Sequence, residues 1–219
     1  MASLRNGSKG SYYGSELGSS EPLSESEMKV NAEYIYKYLN SNGWTKNAVA
    51  GLLGNMQAES SINPGRWQSD NVGAISNGYG LVQWTPSTNY TDWCASHGWS
   101  DPSEMDTNLL RIIYEVDNKL QWIATDSYDF SFEDFTKSTK SAGELAKAFL
   151  LNYERPKDQS SSVQEYRASN GEAWYTFLGG VNVDDSESGS ESIATKKKKF
   201  NFILFNRRYS WKNKNFSIR

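Results

Sequence analysis

Residues 46–65 read KNAVAGLLGNMQAESSINPG. Val49, Leu52, Leu53 and Met56 recur at the spacing of one helix face. Thr45 stands before the run as an N-cap, because its hydroxyl can accept from a backbone N–H of the first turn, and Asn63-Pro64-Gly65 breaks the pattern after it. The reading is a helix that carries Glu59 in its last turn. A lone glutamate on a helix is ordinarily a solvated charge. Glu59 differs in ending an apolar helix that is followed, at residues 66–84, by short apolar pieces punctuated by Gly73, Gly78 and Gly80. That segment has no helical period and reads as a small, irregular β hairpin or sheet with a turn at Asn77-Gly78. A helix end facing a small sheet puts a carboxyl group at the mouth of a cleft.

On the N-terminal side, Val30, Tyr34, Ile35, Tyr38 and Leu39 predict a helix from Met28 that stops at Asn42-Gly43. Residues 1–27 are rich in Gly and Ser and read as a flexible arm. On the C-terminal side, Thr85-Pro86 and Asp101-Pro102 each place a cap before a proline. The second opens the long pattern Leu109, Ile112, Ile113, Val116, Leu120. Ser141 and Glu144 form a capping box for AGELAKAFLLNYER, ended by Pro156. A last helix is expected over 163–177, closed by Gly179-Gly180. The layout is α+β: a mainly helical domain over 28–180 with one small β insertion.

Composition narrows the chemistry. The chain has one cysteine, Cys94, and one histidine, His97, which exclude an intrachain disulfide, a cysteine zinc cage and a histidine metal cluster. Those two residues lie three apart in one short predicted helix, unlike a Cys-His peptidase pair. Eight Trp and thirteen Tyr exceed the needs of a core and suit a groove for sugars or peptides. No apolar stretch has the length of a signal peptide or a membrane span, so the expectation is a protein made in the cytoplasm without an export signal of its own.

AESSINPG (58–65), GYGLVQWTP (78–86) and AFLLNYERP (148–156), in this order, resemble the signature stretches of phage tail lysozyme domains. That family is related in design to goose-type lysozymes and soluble lytic transglycosylases, and the resemblance covers roughly residues 30–178. It implies cleavage of the β-1,4 bond between N-acetylmuramic acid and N-acetylglucosamine and a home in the virion, on a phage tail. The peptidoglycan glycan strand and other tail proteins would be partners, with no metal or organic cofactor. Matched residue by residue, it makes Glu59 the general acid. That role needs a carboxyl still protonated near neutral pH, raised from about 4.3 to roughly 6 by apolar surroundings such as Met56, Trp67 and Trp84. It places Gln83 near the acid or the sugar and Asn152 and Tyr153 at the cleft floor; Tyr79 and Trp84 are candidates for stacking on sugar rings. Ordinary glycoside hydrolysis uses a second carboxylate. Asp70, in the expected β segment, is the first candidate, with Glu154 behind it. A lytic transglycosylase needs no such partner, because a hydroxyl of the substrate attacks, and it stands as the alternative, as does a non-catalytic wall-binding module.

Beyond Gly180, a Ser-rich acidic linker leads to residues 196–219, which hold nine basic residues and no acid. This tail carries a formal +9 against −12 for the rest, within a net charge of −3. Six aromatics lie among those charges. The tail reads either as a linker to something further or as a contact for an anionic polymer or membrane surface, while the 28–180 domain is expected to bind no nucleic acid.

Overall fold

The computed structural model describes residues 1–183. The expected linker beyond residue 183 and the whole basic tail fall outside them. The fold is α+β, dominated by helices.

Helix α2 (Lys46–Ser60) is the axis of the molecule. Thr45 caps it as expected, its hydroxyl accepting from the Ala48 N–H at 3.1 Å. The sequence pattern pointed to one buried face, yet every residue from Ala48 to Met56 is buried. Two glycines explain how. A methyl group at Gly51 would lie 2.8 Å from Leu145 Cβ, and one at Gly54 would lie 2.7 Å from the backbone of Arg167 and Gly171. Bare backbone there lets α6 (Ala142–Phe149) and α7 (Ser161–Leu178) close directly onto α2. Helix α1 (Glu25–Asn40), begun by a Ser24–Glu27 capping box, packs on the same helix.

The remaining elements surround this core. Helix α3 (Thr88–Ser96) and α4 (Met105–Asp117) follow the 66–84 segment. The short α5 (Phe132–Lys137), which apolar periodicity did not reveal, follows, started by its own Ser131–Asp134 capping box. Chain 150–154 continues α6 as one π-helical turn, Leu150–Glu154, and ends at Arg155 in the left-handed region with φ 48°. Phe132, Phe135, Phe149 and Tyr153 form one aromatic cluster under it.

The small sheet lies in a different place from the one expected. Strands β1 (Ser3–Gly7) and β2 (Gly10–Gly14) pair antiparallel in the segment read as a flexible arm. Composition hid what holds it. Tyr12 is buried edge-on against Tyr34, and Asn31 exchanges bonds with Tyr13, its Oδ1 accepting from the Tyr13 N–H and its Nδ2 donating to the Tyr13 carbonyl. Asn63 accepts from the Ser15 N–H and donates to the Ser15 hydroxyl and the Glu21 carbonyl. Residues 66–84 form no ladder. They are held by the isolated bridges Trp67–Tyr79 and Tyr79–Trp84 and a 3-10 turn over Gln68–Asp70. Among the described residues no helix is long and apolar enough to cross a membrane.

Candidate functional site

A cleft of about 900 Å3 runs between the end of α2, the 66–84 segment, α4 and the π-turn. Its walls are largely polar, and Glu59, Gln83, Trp84, Glu115, Tyr153 and Glu154 line it. A larger cavity of about 1040 Å3, between the 41–44 turn, α4 and α5, contains none of the candidate residues. The cleft is the candidate site because the titratable groups converge there.

Glu59 reaches the cleft from the last turn of α2, its side chain 21% exposed. Its charged partner is Arg167, whose Nη2 donates to Glu59 Oε1 at 2.7 Å. Arg167 stands on the buried stripe of α7 with Ala168, Gly171 and Trp174, and its Nη1 donates to the Asn55 carbonyl at 2.8 Å. The guanidinium is thus anchored to α2 four residues before the acid. Met56 and Trp67, named from sequence as apolar neighbours of the acid, are buried in the core.

Glu154, at the end of the π-turn, supplies a second carboxyl group to the same cleft. Its Oε1 is closed off from solvent and has no hydrogen-bond partner. Burial pushes this carboxyl well above the ordinary glutamate range, and the neighbouring Glu59 pushes it further, against the opposing pull of Arg167.

Glu115 forms the floor and is almost wholly buried. Three donors hold it: Trp84 Nε1 at 2.9 Å, the Tyr153 hydroxyl at 2.6 Å and Arg111 Nε at 2.9 Å. Burial raises this carboxyl too, while Arg111, Tyr153 and Trp84 work against the shift. Trp84 and Tyr153 therefore line the cleft with their polar atoms already committed. Gln83, at φ 50°, turns into the wall and donates to the Arg66 and Gly80 carbonyls, leaving its Oε1 without a partner.

Three candidates stand elsewhere. Asp70 is not in the lining of the cleft; Arg66 grips both of its oxygens at 3.1 Å and the Ser20 hydroxyl donates to it at 2.7 Å. Burial alone would raise its carboxyl, but Ser20 and Arg66 outweigh that and hold it below the ordinary value. Tyr79 is wholly buried between Trp67 and Tyr90. Asn152 is buried as a brace, accepting from the Thr125 N–H and hydroxyl and donating to the Tyr128 carbonyl.

Glu115 and Arg167 were not singled out from sequence, although a signal existed. Each is a charged residue on the apolar stripe of its helix, Glu115 after Met105, Leu109 and Ile112.

Residues 30–178 match the phage tail lysozyme family. The chain is also 46% identical over 185 residues to Morphogenesis protein 1 of Bacillus phage B103, an alignment that takes in 78% of this chain and 49% of that protein. The chain spans about half the length of that curated relative. With a family match across most of the helical domain, and with AESSINPG, GYGLVQWTP and AFLLNYERP all contributing to one cleft, the chain belongs to the phage tail lysozyme family.

Proposed function

We propose that this chain cleaves peptidoglycan, breaking the β-1,4 bond between N-acetylmuramic acid and N-acetylglucosamine, with Glu59 as the acid that protonates the glycosidic oxygen. The observation that carries the reading is the position of Glu59. It is a partly exposed carboxyl group at a helix end, opening onto a polar-walled cleft that Trp84 and Tyr153 also line. Gln83 also lines the cleft, its Nε2 held by the Arg66 and Gly80 carbonyls and its Oε1 closed off from solvent, so it shapes the wall. The family match and the similarity to a phage morphogenesis protein support a place in the virion, where such an activity would open the wall during infection beside other tail proteins.

Hydrolysis is the first reading of the chemistry. A lytic transglycosylase reading draws on one observation: Asp70 is engaged by Arg66 and Ser20 and lies outside the cleft lining, so it offers no free carboxylate to activate water. Muropeptide mass spectrometry separates the two, reducing ends marking hydrolysis and anhydro sugars marking transglycosylation.

The central test is Glu59→Gln. The amide keeps the shape and loses the proton, so clearing of a peptidoglycan suspension should slow by about 100-fold or more, the scale of general acid catalysis, with the circular dichroism unchanged. A folded variant as active as the parent would defeat the assignment.

A further inference from the structure

The ion pair between Glu59 and Arg167 poses a chemical problem. A guanidinium beside a carboxyl group stabilises the carboxylate, whereas a general acid must arrive protonated. The cleft contains a second group that resolves it. Glu154 opens onto the same space from the π-turn, and one of its oxygens is shut away from water with nothing to bond to. A buried carboxylate oxygen without a donor is costly, and a proton on the group removes most of that cost.

We infer that Glu59 and Glu154 act as one acid: they share a single proton, Arg167 is the common counter-charge for the remaining negative charge, and Glu59 delivers the proton. This rests on the peptidoglycan-cleaving reading above and extends it. Two glutamates and one guanidinium with one proton between them form a neutral group, the cheapest state for a cluster walled by α2, α7 and the π-turn. The charged groups facing Glu154 are Glu59 from α2, Arg167 from α7, Glu115 from α4 and its own neighbour Arg155. Glu115 is engaged by Arg111, Trp84 and Tyr153, and Arg155 Nη1 is turned to the carbonyls of Gln121 and Asn152. Glu59 and Arg167 are therefore the partners left to exchange charge with Glu154.

The proton count closes over a turnover. The pair gives one proton to the glycosidic oxygen as the bond from that oxygen to C1 breaks, and the bonding electrons leave with the oxygen. A water oxygen, or a hydroxyl oxygen of the sugar, then bonds to C1, and the proton it sheds returns to the pair. In this reading Glu154 acts through Glu59 and is a positioning residue for the proton that Glu59 delivers.

The test is the pH profile of peptidoglycan turnover for the full chain and for Glu154→Gln, with Glu59→Gln alongside. The Glu154→Gln change would remove the like charge that keeps a proton on the pair. The alkaline limb of the profile should then move down by about one pH unit or more, the coupling expected of interacting sites, with activity recovering in mildly acidic buffer. A purely structural role would lower turnover at every pH and leave the limb in place. If Glu154→Gln fails to fold, carbon-13 NMR of the glutamate carboxyls in the parent chain gives the answer. One carboxyl should titrate well above the ordinary range, and Glu59→Gln should bring that titration down. An inactive Glu59→Gln beside an unmoved limb, or two carboxyls titrating independently in the ordinary range, would overturn the shared proton and leave Glu59 as sole acid. An active Glu59→Gln would instead remove the underlying function.

Discussion

Glu115 anchors three polar groups in the floor of the cleft: the Trp84 indole, the Tyr153 hydroxyl and the Arg111 side chain. Cutting it back to alanine would leave a guanidinium and two buried donors unsatisfied, so Glu115→Ala should cost about 3–5 kcal/mol in chemical denaturation. Asp70 predicts the reverse. Its carboxylate serves Arg66 and Ser20 at the rim, so Asp70→Asn should reduce peptidoglycan turnover by less than about tenfold, measured on purified walls. A loss of about 100-fold would return Asp70 to the chemistry. The place of Glu59 in the last turn of α2, lining the cleft, was legible in sequence because its motif and its helix agree. Asp70 was misleading because its chain neighbours do line the cleft, and which way one side chain turns within a 3-10 turn is set by Arg66 and Ser20. Tyr79 and Asn152 lie in motif stretches yet serve as packing and bracing, which a string of letters does not distinguish from binding.

At the scale of elements, the seam between α2 and α7 is made of absent side chains. A methyl group at Gly54 would meet backbone of Arg167 and Gly171 that cannot rotate away, so Gly54→Ala should destabilise by about 1–3 kcal/mol despite alanine's better helix propensity, and a thermal melt would register it. The long helices were readable because caps and periodicity coincided, as at Thr45 and Ser141. The N-terminal hairpin was not. Its stability comes from single residues reaching distant partners, Tyr12 to Tyr34 and Ser15 to Asn63, and a Gly- and Ser-rich strand pair shows none of this locally. The 66–84 segment does wall the cleft, but with glycines at close approaches it forms bridges instead of a ladder.

Across the whole molecule, acidity and stability are linked through the two raised carboxyls of the cleft. Folding raises Glu154 and Glu115 above the ordinary glutamate value of 4.5, so the folded state prefers their protonated forms. Their contribution is fully present below that value and declines as pH rises through their folded range. Glu154→Gln cannot ionise and escapes its share of the decline. Its melting temperature relative to the parent should therefore be higher at about pH 8 than at about pH 4; an equal difference at both would mean that Glu154 folds with an ordinary carboxyl. The anchoring of Arg167 on the Asn55 carbonyl has a consequence of another kind. The acid and its counter-charge sit on helices more than a hundred residues apart in sequence, and only the close fit of α2 to α7 brings them together. Under the proposed function, peptidoglycan turnover would then act as a gauge of finished folding, because a chain with α7 undocked lacks the Glu59–Arg167 pair. In a gentle denaturant series, turnover should fade before helical circular dichroism does.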